Sequence, residues 1–446
     1  MDKPEQVALA LADALLAGPC DPVIMMKNMR WVMGRKWPWI PALCKKIHRH
    51  TGDHFYHYSR HEVADMILAD NGFDNAWFRS ESPPVIRHYC LLPPVAPDRP
   101  VWLEMLNLPS LANSDELANY LNLPHGELAW FADQWRDSAP ESTGLRHYRY
   151  RWLDKPTGGV RLLEMPKQRL RNIQRKILRQ ILDRVPPHAA AQAFRKRHSC
   201  LSHASLHTGK QVVLRLDLKD FFSSIPGSRI HSLFAKLGYP QSVAAILARL
   251  CTHRTPNTVL DEIMARQGAP WQVRHMLRSR HLPQGAPTSP ALANLCAFRL
   301  DMRLHTLAAS MQATYSRYAD DLTFSGDEEL ARALQRFIIQ AGAIAIEEGF
   351  SLNHKKTRIM RATGRQQVTG IVINRHCNIR RSEFDRMKAI LTNCVRNGPA
   401  TQNRDHHADF RVHLAGKLAH LHMINAARAT KLQTIFEQIN WPAKPE

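Results

Sequence analysis

The chain has 446 residues, with 61 Lys and Arg against 39 Asp and Glu, which gives a formal net charge of +22. This length suggests two or three packed units, and the apolar fraction of 44% is typical of a folded soluble protein. No apolar run reaches the roughly 18 residues that a membrane span requires, which excludes an integral membrane protein. The opening Met-Asp-Lys-Pro-Glu carries acidic residues and leads into no clear cleavage site, so we expect a cytoplasmic protein.

The eight cysteines stand at wide spacings without a CxxC pair, so we expect reduced, mostly buried thiols and no zinc site. The positive charge predicts a polyanionic partner, because clustered Lys and Arg gain affinity for phosphates by releasing counterions. A basic protein whose charge only keeps it in solution is the alternative.

Residues 1–110 begin with the amphipathic pattern VALALADALLAG, continue through a Trp-rich segment and end in a proline-rich stretch. We therefore predict a small helical domain followed by a linker. Its residues Trp31, Trp37 and Trp39 are typical of core packing, and an RNA-stacking platform or an effector-docking face are the alternatives. The next segment, SDELANYLNLPHGELAWFAD, predicts two short helices, the first with Ser114 as its N-cap.

Residues 144–198 are the most basic part of the chain, with 15 Lys and Arg against 3 Asp and Glu. HYRYRWLDKPTGGVRLLEMP alternates like a β-hairpin around Thr-Gly-Gly and places arginines beside aromatic residues. Lys167–Val185 then predicts a helix with one apolar face and a basic remainder. A solvated charged face would explain the helix alone, but the neighbouring basic hairpin favours a surface for nucleic acid.

Three aspartates stand where strands are predicted to end. VVLRLDLKDFFSSI predicts a buried strand that delivers Asp217, and ATYSRYADDLTFSG predicts a hairpin with Asp320 and Asp321 near its tip. Adjacent strand residues point to opposite faces, so the two hairpin acids serve one metal site only if the turn rotates one of them back. Phosphoryl transfer by two metal ions needs such carboxylates. An isolated Asp-Asp pair is more often a solvated turn, so the surrounding sequence carries the inference.

That surrounding sequence resembles a reverse transcriptase. RLDLKDFFSSI, HLPQGAPTSPALANLCAFRLDMRL, YSRYADDLTFSG and EEGFSLNHKKTRIM follow one another in the order and at the spacing of the family's core motifs. The tetrad Tyr-Ala-Asp-Asp matches the family's YxDD hairpin. QQVTGIVIN resembles the VTG element of bacterial retron enzymes, and SHASLH resembles their NAxxH element with His203 in place of the Asn. The resemblance covers roughly residues 110–440.

The resemblance implies roles for residues at matching positions. Asp217, Asp320 and Asp321 would be the catalytic metal-binding triad for two Mg²⁺ ions. Phe222 would exclude the 2′-OH of an incoming nucleotide, although a core aromatic is the simpler alternative. The residues implied to contact the nucleotide or the template are Gln284, Gly285 and Lys356, with Lys355 as a rival to Lys356, and the more general basic candidates Arg161, Lys167 and Arg195.

Further residues are implied to contact RNA. They are His207 of the NAxxH-like element, Val368, Thr369 and Gly370 of the VTG element, and Lys417 and Arg428 on the helical C-terminal segment. The implied fold is α+β, a right-hand polymerase with an additional N-terminal helical domain. Its expected divisions are an extension and linker over 1–110, fingers and palm over 111–380, and a helical thumb over 381–446.

The implied function is RNA-directed DNA synthesis of retron type. A cognate structured noncoding RNA would serve as template and primer, and dNTPs would be joined to an RNA 2′-OH, which leaves an RNA–DNA hybrid product. Members of the family commonly act in antiphage defence beside an effector protein. Two alternatives remain: a group II intron-like or other defence-associated reverse transcriptase, and a non-catalytic RNA-binding protein with a polymerase fold.

Overall fold

The computed structural model describes residues 3–52, 55, 58, 60–80, 82–90, 101–133, 146–154, 160–267 and 271–441. The chain divides into two compact units. The first comprises Met1–Pro186 and Ile225–Leu292, and the second comprises Pro187–Ser224 and Ala293–Glu446. Helices and small antiparallel sheets occur together, which confirms the α+β class. None of the helices in the described ranges combines the length and apolarity that a bilayer crossing demands.

The elements follow one another in this order. The helices of the first half are α1 (Pro4–Leu16), α2 (Pro22–Met33), α3 (Ile40–Thr51), α4 (Arg60–Leu68), α5 (Asn71–Phe78), α6 (Val101–Glu104), α7 (Ser114–Leu121), α8 (His125–Phe131), α9 (Gln168–Gln180) and α10 (Cys200–Ser205). Those of the second half are α11 (Gly227–Lys236), α12 (Gln241–Cys251), α13 (Asn257–Gln267), α14 (Trp271–Arg278), α15 (Ser289–Cys296), α16 (Phe298–Ala309), α17 (Glu328–Glu347), α18 (Arg381–Asn397), α19 (Phe410–Ile424) and α20 (Ala426–Glu437). The strands are β1 (Tyr148–Asp154), β2 (Val160–Pro166), β3 (Val212–Asp217), β4 (Thr314–Tyr318), β5 (Asp321–Gly326), β6 (Arg358–Arg361), β7 (Gln367–Val368) and β8 (Ile371–Val372).

The first five helices share one hydrophobic core. Asp21 and Asp70 begin α2 and α5 by accepting hydrogen bonds from backbone N–H groups of the first turn. Trp37 and Trp39 are buried in this core, which confirms the packing predicted for them. Trp31 differs, because its side chain is 50% exposed and stacks on a neighbouring histidine ring.

The rest of the first unit confirms the predicted hairpin and helices with one correction. β1 and β2 pair from Tyr148–Pro166 to Asp154–Val160, and the Thr-Gly-Gly tip lies outside the described residues. α9 covers most of the helix predicted over Lys167–Val185. The prediction of Ser114 as N-cap is wrong. Asn113 caps α7 instead, since its side chain accepts from the next two N–H groups.

The second unit is built around an antiparallel sheet in the order β4-β5-β3-β6. The apolar run VVLRLD forms β3, which is paired on both sides, and most of its side chains are buried. The predicted strand and the predicted YADD hairpin are therefore both confirmed. The β7–β8 hairpin packs with α18, α19 and α20 in a separate hydrophobic cluster of this unit.

All eight cysteines are thiols, as expected for a reduced protein. Four of them are buried, namely Cys44, Cys251, Cys296 and Cys394, and the other four are partly exposed. Burial raises the pKa of the Cys44 and Cys251 thiols to about 12, so both are uncharged at neutral pH.

A buried ion pair joins α16 to β4. Both side chains are 0% exposed, and the Arg317 guanidinium donates to Asp301 through Nε at 2.8 Å and through Nη2 at 2.6 Å. Its Nη1 donates to the Asn294 side chain and to the Ala319 carbonyl, both at 3.0 Å. Tyr315 donates its hydroxyl to the same aspartate at 2.8 Å. The guanidinium thus fixes the backbone just before the two hairpin aspartates.

Substitution of Asp301 by alanine would leave the Arg317 charge buried without its carboxylate. We expect Asp301→Ala to lower the free energy of unfolding by about 3–5 kcal/mol, measured by urea denaturation. Glu328→Ala removes an exposed carboxylate that pairs with Arg332 one helical turn away, and it should change the same quantity by less than about 1 kcal/mol. Equal effects of the two substitutions would contradict this role of the buried pair.

Candidate active site

Two of the three predicted aspartates face each other across the central sheet. β3 ends at Asp217, whose cross-strand partner is Asp321, the first residue of β5. The backbone N–H of Leu218 donates to the carbonyl of Asp320 at 2.8 Å, so the third aspartate lies beside the end of β3. Like charges directly opposite on neighbouring strands destabilise a sheet, and this arrangement therefore needs compensating cations.

The hairpin turn answers the question of how Asp320 and Asp321 can serve one site. Ala319 has φ +58°, in the left-handed region that non-glycine residues rarely adopt. Its carbonyl is held by Arg317, and the next carbonyl accepts from Leu218. The local reversal takes Asp320 out of the alternation of side chains along the strand, which is the condition for Asp320 and Asp321 to serve one metal site. Such backbone strain occurs where surrounding contacts impose it.

Two basic side chains neutralise the carboxylates. Lys356 Nζ donates to both oxygens of Asp217 at 3.0 and 2.9 Å, and Arg215 Nη2 donates to Asp321 at 2.8 Å. Asp320 makes no ion pair of this kind with any residue that the structure describes. Burial, followed by the negative charges of Asp217 and Asp321, raises its pKa above the ordinary aspartate value.

The donor chemistry of the triad fits a divalent cation. Carboxylate oxygens are the ligands that Mg²⁺ prefers. The raised pKa of Asp320 reflects first its burial and then the negative charges of Asp217 and Asp321, which a cation would offset. Within the described ranges, however, no three Asp, Glu, His or Cys side chains already form a metal-ligating cluster. Asp217 and Asp321 would therefore exchange Lys356 and Arg215 for the ion when it binds.

Phe222, Arg195 and Lys355 are further predicted nucleotide-site residues of the second unit. Phe222 is half-buried, with its ring 5.5 Å from Phe221 and 6.3 Å from the exposed Phe194. Arg195 Nη1 donates to backbone carbonyls, most closely that of Ala191 at 2.9 Å, so part of its guanidinium already stabilises its own loop. Lys355, the rival of Lys356, is exposed and lies in the same short 3₁₀ turn, His354–Lys356.

The other predicted nucleotide contacts belong to the first unit. Gln284 accepts from the backbone N–H of Glu164 at 2.8 Å, which joins the LPQG loop to β2. Gly285 has φ +128°, and a Cβ there would approach the Glu164 carbonyl oxygen to 3.0 Å. Both the conformation and the close approach therefore require glycine. Arg161 is exposed on β2, and Lys167 is partly exposed just before α9.

A buried ionic network beneath that loop was missed by sequence reasoning. Glu164 accepts from His281 Nε2 at 2.8 Å and from the Thr255 hydroxyl at 2.7 Å. Burial opposes ionisation of Glu164, but the His281 charge and hydrogen bond outweigh it, and the pKa of Glu164 is lowered. Burial likewise opposes the charged form of His281, but Glu164 holds its pKa above the ordinary value. In the sequence, the only sign of this network is one Glu within the alternating pattern of β2.

This pair makes stability depend on pH at both ends. Its contribution is fully present between the ordinary Glu pKa of 4.5 and the ordinary His pKa of 6.5. It is lost as the pH falls through the lowered pKa of Glu164 and as the pH rises through the raised pKa of His281. We expect Glu164→Gln to lower the free energy of unfolding by about 3 kcal/mol at pH 6 and by clearly less at pH 9. Urea denaturation at the two pH values measures this, and an equal loss at both would contradict the charged pair.

The residues predicted to contact RNA divide into buried and exposed sets. His207 is fully buried, and its ring nitrogens bond the Ser325 and Ser316 hydroxyls at 2.7 Å each. This geometry contradicts RNA contact by His207 and corrects its role to a structural one. Burial, followed by the His203 charge, lowers the pKa of His207 to about 3, so the ring is neutral. The side chain of Val368 is also buried and packs in the core instead of meeting RNA.

The remaining members of that set are accessible. Thr369 and Gly370 form the two-residue loop between β7 and β8 with φ +47° and +87°, the signs of a type I′ turn. The Thr369 hydroxyl donates to the Cys200 carbonyl at 3.1 Å. Lys417 is exposed on α19, and the partly exposed Arg428 lies 5.0 Å above the Phe384 ring.

The corrected role of His207 can be tested. We expect His207→Ala to lower the free energy of unfolding by about 2–3 kcal/mol, because it leaves two buried hydroxyls without their partner. The affinity of the folded variant for RNA, measured by fluorescence anisotropy, should stay within about twofold of wild type. A large loss of RNA affinity with unchanged stability would contradict the structural role.

Comparisons with known proteins agree with the geometry. Residues 153–382 match the family described as reverse transcriptase (RNA-dependent DNA polymerase). The chain is 41% identical to the retron Mx65 reverse transcriptase of Myxococcus xanthus over 288 residues, which cover 65% of this chain and 64% of that protein. It is 32% identical to the retron Mx162 reverse transcriptase of the same organism over 336 residues, which cover 72% and 66% of the two chains.

A relative from Escherichia coli, the retron Ec86 reverse transcriptase, is 31% identical over 245 residues, which cover 54% of this chain and 68% of that protein. The chain spans slightly less than two thirds of the length of the two Myxococcus relatives. These matches confirm the family inferred from the motifs and imply a polymerase fold. The chain belongs to the reverse transcriptases, as a member of their bacterial retron type.

Proposed function

We propose that this protein is an RNA-directed DNA polymerase of retron type. The observation that carries the proposal is the placement of Asp217, Asp320 and Asp321 together at one end of the central sheet. Arg215 and Lys356 offset the charges of Asp321 and Asp217, but the partly buried Asp320 has no such partner among the described residues, which is a cost without a cation to bind. A scaffold that only holds RNA has no physical need for that arrangement.

The three aspartates would hold two Mg²⁺ ions. When bound, these ions lower the pKa of the attacking hydroxyl and neutralise charge on the leaving pyrophosphate. A primer hydroxyl forms a bond to the α-phosphorus of the dNTP as the bond to pyrophosphate breaks. Arg215 and Lys356 give up their carboxylates in this state, and the Lys356 ammonium becomes available to the triphosphate.

Other residues position the nucleotide and the template. Phe222 would exclude the 2′-OH of a ribonucleotide, which favours dNTPs. Gln284 and Gly285 would let nucleotide and template approach the backbone of their loop closely. The cations proposed for triphosphate or template phosphates are Arg161, Lys167 and Arg195.

We further propose the organisation of a right-hand polymerase. Residues 1–110 form an N-terminal helical extension with its linker, residues 111–380 the fingers and palm, and residues 381–446 the thumb. The hydrophobic core shared by α1–α5 supports the N-terminal extension as a part of its own. Thr369, Gly370, Lys417 and Arg428 are the proposed RNA contacts, since each presents accessible backbone or side-chain groups.

The proposed template and primer is a cognate structured noncoding RNA. DNA synthesis would start at an RNA 2′-OH in the cytoplasm and yield an RNA–DNA hybrid, and the protein would act in antiphage defence beside an effector. The identity of 41% and 32% to retron enzymes supports this reading over an intron-type enzyme.

The first test is dNTP incorporation by the protein purified with its co-expressed RNA and Mg²⁺. We expect wild type to synthesise DNA, and Asp320→Asn to lose more than about 100-fold in rate while still binding RNA. DNA that stays joined to RNA after protein digestion and is released by a 2′,5′-debranching enzyme would support retron priming. If wild type and variant are equally inactive while both hold RNA, the polymerase proposal fails.

A second test separates the neighbouring lysines. Lys356→Ala should lower the incorporation rate by about 10²-fold, because it removes a cation from the triphosphate. Lys355→Ala removes an exposed ammonium of the same turn and should change the rate less than about twofold. Steady-state kinetics with a primed RNA template measure both, and a reversed order would move the role to Lys355.

A further inference from the structure

Basic and acidic residues are unevenly distributed along the N-terminal bundle formed by α1–α5. Residues 22–52, which contain α2 and α3, carry seven Lys and Arg and no Asp or Glu. The acidic residues of the described bundle lie on α1, α4 and α5 and at the N-caps of α2 (Asp21) and α5 (Asp70). Within the described part of this basic segment, Lys46 pairs with Asp70 of the next segment. A polyanion would therefore be attracted to α2 and α3 more than to α1, α4 and α5.

The same basic segment carries an exposed aromatic ring, that of Trp31. Trp31 is half-exposed in the last turn of α2 and stacks on His88, with ring centroids 5.1 Å apart and planes 21° apart. Lys27 is exposed one helical turn earlier, so it shares the Trp31 face. A ring covered on one side only offers its other face for stacking.

The segment that brings His88 to this place also brings further cations. Backbone N–H groups of Arg87 and His88 donate to the Val32 carbonyl at 2.8 and 3.1 Å. The Arg87 side chain lies directly over Gly34, where a Cβ would approach its Cγ to 2.7 Å. Arg35 donates to the Ser82 carbonyl and lies 3.9 Å above the Trp37 ring. Within the described residues, Lys27, Arg35 and Arg87 have no carboxylate partner.

We propose that this surface, which we call the α2 face (Lys27, Trp31, Arg35, Arg87 and His88), binds single-stranded RNA. One base stacks on the open face of Trp31, and Lys27, Arg35 and Arg87 contact the adjoining phosphates. Stacking rings among unpaired cations are the combination that binds single-stranded nucleic acid without regard to sequence. This proposal rests on the proposed function in one respect, namely that RNA is the nucleic acid on which the protein acts.

A protein partner is the competing occupant. α2 also exposes Val23 and Ile24 at its start, which a protein could cover. The cations around Trp31 carry the argument for RNA, because a protein interface buries few unpaired charges at its centre.

The experiment measures binding of the full-length protein to 5′-fluorescein-labelled rU20 by anisotropy at 50 and 200 mM KCl. Lys27→Ala/Arg87→Ala removes two phosphate contacts, so the slope of log affinity against log salt should fall by about 1.4. When KCl is raised from 50 to 200 mM, wild type therefore loses roughly sevenfold more affinity than this variant. Trp31→Ala should weaken binding by about tenfold through lost stacking.

The bundle itself offers a matched control. Phe78 is 72% exposed and is followed by the exposed Arg79 at the end of α5. Phe78→Ala/Arg79→Ala therefore removes one aromatic ring and one cation that are not members of the α2 face, and should leave both affinity and salt slope unchanged. Thermal unfolding of each variant shows whether the bundle remains folded.

Photocrosslinking with a 4-thiouridine-substituted oligonucleotide locates the contact directly. We expect adducts on the tryptic peptide Trp31–Arg35. Unchanged affinity and slope in both α2-face variants, with adducts only elsewhere, would overturn the proposal. Unchanged RNA affinity together with loss of a co-purifying protein would also overturn it and assign the face to protein docking.

Incorporation of dTTP on poly(rA)·oligo(dT) keeps this test separate from the proposed function. At saturating template, the α2-face variants should match wild type, since none of the substituted residues belongs to the aspartate site. If wild type itself makes no DNA, the polymerase proposal fails, while the binding data still decide whether the α2 face holds RNA.

Discussion

The buried Arg317–Asp301 ion pair fixes the geometry of the second unit. The Arg317 guanidinium donates hydrogen bonds to the Asp301 carboxylate, to the Asn294 side chain and to the Ala319 carbonyl. One group therefore holds α16, β4 and the hairpin turn together. Taking two charges out of water is expensive, and the cost is offset only when every donor finds a partner. The left-handed conformation of Ala319 persists because this network leaves the turn no alternative. The positions of the two hairpin aspartates, Asp320 and Asp321, follow from that restraint.

Charge compensation is the second constraint on this site. Asp217 and Asp321 stand directly opposite and each binds a basic side chain, which removes a repulsion that would otherwise weaken the sheet. In the proposed mechanism the same basic side chains are exchanged for metal ions. Lys356 would then serve in turn as a counter-ion for the free site and as a contact for the triphosphate. The basic side chains thus stabilise the aspartate site before its substrates arrive. In the proposed mechanism they do not block it, because they leave the carboxylates when metal ions bind.

Local patterns in the sequence predicted β3, the YADD hairpin and the basic hairpin correctly, because apolar alternation and turn residues act over short distances. Apart from the N-cap of α7, which is Asn113 and not Ser114, the failures concern partners distant in the chain. His207 was predicted to meet RNA, but its serines lie 109 and 118 residues away, and no local signal shows that they enclose it. Arg317 reads as an ordinary strand cation in a basic chain until α16 supplies Asp301. Which of Lys355 and Lys356 reaches the aspartates depends on the direction of a short 3₁₀ turn. The spacing of residues in the sequence does not determine that direction.

The most direct test of the exchange between cation and metal is Mn²⁺ binding without nucleotide, measured by electron paramagnetic resonance on wild type, Asp217→Asn and Lys356→Ala. If Lys356 occupies the carboxylate that the metal needs, Lys356→Ala binds Mn²⁺ more tightly than wild type although its polymerase rate falls, and Asp217→Asn binds it more weakly. Identical Mn²⁺ affinity in all three proteins would contradict the account, because the aspartate site would then hold no metal.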